Sequence, residues 1–411
     1  MSYLRTAPWG AVCLCFAAAC FASPAPPALR AAVHQLWANN PEVEAARAAL
    51  DAARARTRAA EQPVYNPSLA LEGENADVDR RTVGVSLPLD LSGKRRARTI
   101  ESEAAVRAAE AQLQLQRREV AARWLKAWSS ATSVTRQRAF GLRRVATMQR
   151  FDVLAAQRLA VGDIATSERD LAALGLAAAQ MQEATLAGQE ASALGVLAAL
   201  GGAVDLPEPT EGPPPAAATF VPLAVEERTE LLRARATQER AQAAVAVAER
   251  QRRPDPTLSL TGGSVRSGTR RDRVVGVAIS VPLPVLNSGR AEVAAAMADA
   301  DTAVAAQRAA RMEAEATLEQ ARVTYEALRQ ASQAFRDSRA QAFDARTVTL
   351  DRLWQASELD TSDYLVQLNQ SFDTAQAGLV LQAQLWQAWF DYLAAAGRLD
   401  DWIESPVAEI K

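Results

Sequence analysis

The chain has 411 residues, 49% of them hydrophobic and 5% aromatic, with a formal net charge of -2. A balance this close to neutral gives no global basic field, which argues against a nucleic-acid partner. Much of the apolar content is Ala, which suits closely packed helices better than one thick core.

Residues 1–22 read as a signal peptide. Arg5 supplies the positive start, residues 10–22 the short apolar run, and small residues end it, with cleavage expected after Ala22. Cys13, Cys15 and Cys20 all lie in this segment. A cut there leaves a mature chain with no cysteine, no disulfide and no thiolate metal site. Ala17-Ala18-Ala19-Cys20 lacks the Leu usual in a lipoprotein box, so lipidation at Cys20 is not expected. No later stretch holds about 18 uninterrupted apolar residues, so no transmembrane helix is expected.

The mature chain opens with a Pro/Ala spacer at 23–29 and a helix over 31–61, where Leu36, Val43, Ala46 and Leu50 fall at helical spacing and Asn40-Pro41 interrupts early. Period-two alternation then predicts strands at about 68–74 and 82–89, carrying Leu69, Leu71, Val83, Val85 and Leu87, with a polar turn over 75–80. Ser92-Gly93 breaks the chain. From Lys94 a long helix runs to about Leu159, with Val106, Leu113, Val120, Ala127 and Val134 one heptad apart. Val161-Gly162-Asp163 ends it, and a return helix reaches about Leu200. Residues 201–222 hold Pro207, Pro209, Pro213, Pro214, Pro215 and Pro222 and read as an extended linker.

The programme then repeats. A helix over 226–252 precedes strands at about 257–263 and 274–283, with Leu258, Leu260, Val275, Val277 and Ile279 alternating. After Asn287-Ser288-Gly289 a second long helix is expected to about Trp354, then a polar turn at 357–362. The last helix carries Leu365, Phe372, Leu379, Trp386 and Leu393 at heptad spacing, and Gly397 ends it. The chain thus divides into a first repeat at 23–200, the linker, a second repeat at 223–400 and a short tail at 401–411. The turns match: Val161-Gly162-Asp163-Ile164-Ala165-Thr166-Ser167-Glu168 against Ala356-Ser357-Glu358-Leu359-Asp360-Thr361-Ser362-Asp363.

Four strands cannot close a barrel, and open edges in lipid cost several kcal/mol per unpaired group. Several copies donating strands to one barrel remove that cost. Long heptad helices attached to such a barrel imply a tube standing on a membrane.

Asn40-Pro41-Glu42 with Ala45-Ala46-Arg47, Asn66-Pro67 with Leu69, and Pro88-Leu89 followed by Ser92-Gly93-Lys94-Arg95, in this duplicated order, resemble the TolC-like outer membrane factors. Gly93-Lys94-Arg95-Arg96-Ala97-Arg98 and Val281-Pro282-Leu283-Pro284-Val285-Leu286-Asn287-Ser288-Gly289-Arg290 look most like the CzcC-type branch, which serves heavy-metal efflux. The resemblance implies a mainly α fold with a small β part. A homotrimer would form a 12-stranded outer-membrane β-barrel continued by a periplasmic α-helical coiled-coil tunnel. It also implies a periplasmic adaptor (membrane fusion protein) and an inner-membrane RND pump as partners, with outer membrane lipid around the barrel. The role implied is passive conduction, not catalysis.

By the same resemblance, Asp363, Asp360 and Glu168 are candidates for the periplasmic gate, where a carboxylate ring would concentrate cations. The alternative for each is an ordinary helix cap. The family's basic gate partner falls at Leu359 here, a departure. Lys94, Arg95 and Arg96 are candidates for contact with phosphate head groups at the periplasmic membrane interface; their alternative is solvated charge opening a helix. His34 is the sole histidine and has no companion, so no soft-metal site of standard spacing is expected, nor a cofactor. Trp124, Trp128, Trp386 and Trp389 read as packing residues. No catalytic constellation stands out. Two other readings stay open: the same fold serving drug efflux or type I secretion, and a periplasmic coiled-coil scaffold whose hairpins are local caps.

Overall fold

The computed structural model describes residues 25–75, 77–201, 214, 216–217, 221–338 and 343–404. The expected signal segment with its cysteines, most of the Pro-rich linker and residues 405–411 lie outside this set.

Helix α1 (Pro27–Asn39) begins inside the stretch expected as a spacer. Proline at the first helical position is tolerated because its missing N–H would have no helical partner there. Asn40 separates α1 from α2 (Pro41–Ala60), and its side chain caps α2 by accepting the Glu42 and Val43 N–H groups at 2.9 and 3.4 Å. Strands β1 (Ser68–Glu74) and β2 (Val78–Pro88) follow, then α3 (Lys94–Ala160) and α4 (Thr166–Ala199). At 1.5 Å per residue, the 67 residues of α3 span about 100 Å. The second half contributes α5 (Thr229–Gln251), β3 (Thr257–Ser267) and β4 (Arg270–Ser280).

The second long helix differs from the expectation. It divides into α6 (Arg290–Asp337) and α7 (Phe343–Gln355). Ser338 has extended backbone, and its hydroxyl donates to the Phe335 carbonyl at 2.6 Å. A serine that takes a helical carbonyl competes with helix propagation. Helix α8 (Thr361–Ala395) closes at Gly397, whose φ is +73°. The expected tail then forms another short helix, α9 (Leu399–Glu404), because Leu399, Trp402 and Ile403 are all buried. The Ala25 N–H donates to the Trp402 carbonyl at 3.1 Å, so both ends of the described chain meet.

Two apolar clusters hold the helices together. One joins α1, mid-α3, α6, the end of α8 and α9 around Trp124, Trp128, Tyr325, Trp389 and Tyr392. Tyr325 lies 5.0 Å from the Trp389 ring and 5.8 Å from that of Tyr392. The expected packing role of Trp124, Trp128 and Trp389 is what this cluster contains; Trp386 packs on its margin. The other cluster joins α3, α4, α7 and α8 near the two helix turns, through Met148, Phe151, Trp354, Tyr364, Leu368 and Phe372. Between them Arg144, buried, donates to Gln182, Asp373 and Asn369 at 2.7, 2.7 and 2.8 Å, linking α3, α4 and α8. Truncating a fully buried aromatic such as Trp389 typically costs 3–5 kcal/mol, roughly, through lost transfer energy plus the cavity.

The strands form one antiparallel sheet in the order β1-β2-β3-β4. The two hairpins are therefore joined, since β2 pairs with β3 from Val78↔Ser267 to Pro88↔Thr257. Among the described residues of the single chain, the outer edges of β1 and β4 are unpaired. The register sorts the faces: Leu69, Val85, Leu260 and Val277 share one cross-strand row, and Leu87, Leu258 and Ile279 another. All seven of these side chains are exposed. The other face carries small and polar residues, with rows Ser68, Ser86, Ser259, Ala278 and Ala70, Gly84, Thr261, Gly276. Added Cβ atoms at Gly84 and Gly276 would stand 2.9 and 2.8 Å from the Thr261 side chain, so this face is the crowded one.

Candidate functional site

The two helix turns share one backbone plan. Val161 and Ala356 end their helices, and the next residues, Gly162 and Ser357, take left-handed φ values of +80° and +57°. The Asp163 N–H donates back to Arg158 at 2.9 Å and the Gly162 N–H to Leu159 at 3.0 Å. In the second turn Glu358 donates to Leu353 at 2.9 Å and Ser357 to Trp354 at 3.1 Å. Each is a Schellman closure, which satisfies the last carbonyls of the preceding helix. The following Ile164 and Leu359 both pack on the apolar cluster near the turns. Leu359, which departs from the resembled family's basic position, thus serves as the apolar plug of the turn.

The next helices start differently, and this sorts the three acidic candidates. A full capping box uses an N-cap acceptor and an acid three residues later. The first turn has only the acid: Ala165 has no side-chain acceptor, and the Glu168 carboxylate accepts the Ala165 N–H at 2.9 Å. The second turn has only the acceptor: Asp360 accepts the Asp363 N–H at 2.8 Å and the Ser362 hydroxyl at 2.9 Å. The Asp363 N–H, then the Ser362 hydroxyl, hold the Asp360 carboxyl below the usual carboxylate range. Asp363 is one methylene shorter than Glu168. Its carboxylate is exposed and makes no hydrogen bond or ion pair among the described residues. Glu168 and Asp360 are therefore committed to capping, and of the three only the Asp363 carboxylate caps nothing.

Sequence reading missed the residue that ties the turns together. Arg158, near the end of α3, donates to the Trp354 and Gln355 carbonyls at 3.1 Å each, lies 4.3 Å above the Trp354 ring and pairs with Asp163 at 3.5 Å. A cation at the C-terminus of α7 also meets the negative end of its dipole. Beside it the Tyr364 hydroxyl donates to Asp351. Burial, then that hydrogen bond, push the Tyr364 phenol well above its ordinary value. Nothing in the spacing of Arg158 marks it in sequence; only the fold brings it to α7.

At the junction of sheet and helices, the three basic candidates separate. Lys94 differs from the expectation of a lipid-facing cation: its ammonium lies 2.8 Å from Asp255, with the two side chains only 12% and 3% exposed. Asp255 also accepts from the Tyr65 hydroxyl at 2.7 Å and the Ser92 hydroxyl at 3.3 Å. A buried carboxylate needs a cation, and Lys94 is the one within reach. Arg95 and Arg96 remain exposed. Asp90 caps α3 by accepting the Lys94 and Arg95 N–H groups at 2.8 Å each. Partial burial pushes the Asp90 carboxyl up, but the N–H groups of Arg95, Lys94 and Gly93 and the Lys94 charge outweigh it and leave the carboxyl lowered. Arg250 and Arg252, from the end of α5, donate to the Ser92 and Ser288 carbonyls and so clasp both strand exits. The second exit also carries exposed Leu283, Val285 and Leu286, the last fully so.

His34 is exposed and set edge-on to Trp37 at 5.3 Å. No group of three or more His, Cys, Asp or Glu side chains suited to a metal ion occurs among the described residues. Nor is any described helix long and apolar enough to cross a membrane.

The family model of outer membrane efflux proteins matches residues 32–203, somewhat under half of the chain. No curated protein sequence gives a significant match. Among solved structures, a membrane protein from Pseudomonas aeruginosa superposes with a TM-score of 0.75 at 20% identity, over 91% of this chain and 94% of that one. The Campylobacter jejuni CmeC outer membrane channel gives 0.74 at 14% identity, over 91% and 86%. The open state of the Neisseria gonorrhoeae MtrE outer membrane channel gives 0.71 at 18% identity, over 92% and 90%. The chain therefore has the fold of the outer membrane efflux channels, and its residues 32–203 carry their sequence pattern.

Proposed function

We propose that this chain is one third of the exit duct of a tripartite RND-type efflux system in the outer membrane of a Gram-negative bacterium. The observation that carries this reading is the sheet. It presents an exposed apolar face, a small-residue face and two edges unpaired among the described residues, and it is joined to one helix about 100 Å long and another of about 70 Å. Three copies would pair their edges into a closed barrel with the apolar face toward lipid and the small-residue face toward the lumen. The helices would form the periplasmic tunnel, with the two turns at the end that meets an adaptor and an inner-membrane pump. The duct does no chemistry of its own.

The cargo proposed is heavy-metal cations. The support is the resemblance of both strand exits to the metal-efflux branch, together with the free Asp363 carboxylate, which in threefold repetition makes a ring favouring cations. Selection among metals falls to the pump and adaptor, since the described residues offer no metal cluster. Arg95 and Arg96 are proposed to meet phosphate head groups of the periplasmic leaflet.

The test is extraction and reconstitution. A heat-modifiable trimer in the outer-membrane fraction that conducts ions in planar bilayers is expected; a soluble monomer or dimer in periplasmic extract would support the scaffold reading instead. Deletion of the coding sequence should raise sensitivity to metal salts. Unchanged metal tolerance with increased drug sensitivity, or with loss of a secreted protein, overturns the cargo assignment and leaves the duct intact.

A further inference from the structure

The apolar face of the sheet ends in arginines. Following the register from Leu260 toward the hairpin tips, the row of Leu71, Val83, Gly262 and Val275 is succeeded by Gly73, Arg81, Ser264 and Arg273, and then by Asp79, Arg266 and Arg271. All of these positions share the face of Leu69 and Val85, because side chains alternate along a strand. Arg81, Arg266, Arg271 and Arg273 are exposed. Arg81 pairs with Asp79 at 3.5 Å. Arg266 donates to the Gly268 carbonyl at 3.3 Å and Arg271 to the Ser264 hydroxyl at 3.4 Å. Neither of those two, nor Arg273, has a carboxylate partner among the described residues. The opposite face at the same level is different: Glu72, Glu74, Arg80 and Asp272 lie there, and Arg270 pairs with Asp272 at 3.0 Å. The excess of cations is confined to the apolar side.

The depth of this girdle is fixed by the chain. From Val275 back to Leu283, the apolar positions span eight residues, about 26 Å along the chain if extended and about 20 Å of height at a strand tilt of about 40°. Outer-membrane barrels carry an apolar band of about 25 Å. One cross-strand row further, at Arg273, the height reaches about 25 Å, so the arginines begin at the edge of that band, at head-group level, on the side away from the helices.

We propose that Arg266, Arg271 and Arg273 form an anion-binding girdle for the phosphate groups of lipids in the outward leaflet, the one at the hairpin tips. This rests on the reading of the chain as a barrel-forming duct. Guanidinium groups suit this ligand, since their planar forks match phosphate oxygens bidentately. The acyl chains of the same lipids would lie against Val275, Val277 and Ile279, so lipid and not free phosphate is the occupant.

The experiment uses the full-length mature trimer in neutral detergent, with bisphosphorylated lipid A, its dephosphorylated form and phosphatidylcholine as probes. Bound lipid is counted by native mass spectrometry. Wild type should retain the bisphosphorylated lipid over the other two. Combined Arg266→Gln, Arg271→Gln and Arg273→Gln should weaken it about a hundredfold, at roughly a factor of five per arginine near an anionic surface. Arg80→Gln, at the same level but on the opposite face of the sheet, should leave it unchanged. Excess inorganic phosphate should not displace it. Equal retention by the triple variant, loss in the Arg80 variant instead, or displacement by inorganic phosphate each overturns the girdle. Trimer formation and conductance are read on the same samples. A conducting trimer whose triple variant binds lipid normally sinks the girdle and spares the duct, whereas a wild-type chain that never forms a membrane trimer sinks both.

Discussion

Replacing Lys94 by methionine separates a buried structural cation from an exposed one, because Arg95 stands next to it as a control. In Lys94→Met the aliphatic stem is kept and the charge removed. Asp255, 3% exposed, loses the only cation within ion-pair distance among the described residues. Removing one partner of a buried pair costs about 3–5 kcal/mol. Here the Tyr65 and Ser92 hydroxyls still donate to the carboxylate, so the expected loss is at the low end, about 3 kcal/mol. In Asp255→Asn the stranded group is Lys94, which at 12% exposure can turn toward water, so about 1–2 kcal/mol is expected. The double variant should cost less than the sum, with a coupling of roughly 1–3 kcal/mol. Arg95→Met, at an exposed position, should stay within about 0.5 kcal/mol of wild type. Guanidinium unfolding of the detergent-solubilised protein, followed by tryptophan fluorescence, gives the order of midpoints. Equal midpoints for Lys94→Met and Arg95→Met would refute the buried pair and return Lys94 to the head-group role.

Asp363→Ala should reduce the cation preference of the reconstituted trimer without lowering its stability, whereas Asp360→Ala should lower stability through the lost cap; bilayer reversal potentials and thermal melts separate the two. Ser357→Gly should stabilise the second turn by up to about 1 kcal/mol, and Gly162→Ala should destabilise the first by about 1–2 kcal/mol, since only glycine takes left-handed φ freely; melting curves check both. Gly263→Val should prevent a conducting trimer from forming, because an added Cβ would lie 2.1 Å from the Arg81 carbonyl oxygen and part β2 from β3. On acid titration, the lowered Asp90 carboxyl contributes stability that is present above the ordinary aspartate range, about pH 4, and is lost as pH falls through its folded value; Asp90→Asn should flatten that part of the stability profile.

The elements were legible where one residue type decides the backbone. Pro41, Gly93, Gly162, Gly289 and Gly397 punctuate the chain at the helix ends where the structure breaks, and the alternation of Leu69, Leu71, Val83 and Val85 gave strands. The break at Ser338 was not legible, because no glycine or proline marks it. Nor was α9, since six residues are too few for periodicity to speak; its burial comes from packing on α1, α3 and α8. Lys94 was misread for a related reason. Its partner Asp255 lies in the other repeat, so its place in a buried pair depends on β2 meeting β3.

The two repeats are most informative where they differ. Their turns have the same Schellman closure, the same apolar plug and an acid three residues into the next helix. In the first repeat that acid is Glu168, long enough to fold back on the Ala165 N–H, and its charge is consumed in capping. In the second, Asp360 takes the capping role from outside the helix, and the shorter Asp363 is released from it. A structural requirement identical in both turns is thus met by different atoms, and of the two acids at this helix position only Asp363 is left without a capping bond. That freedom is what a pore ring needs, because a carboxylate already holding an N–H at short range has less field to offer a passing cation. The same economy of placement holds at the other end. Of three adjacent cations at the start of α3, Lys94 is spent on Asp255 and two remain exposed. A charge acts on what lies outside the protein only where no buried group has first claim on it, and that test, applied residue by residue, selects Asp363 at the tip and the unpaired arginines at the sheet.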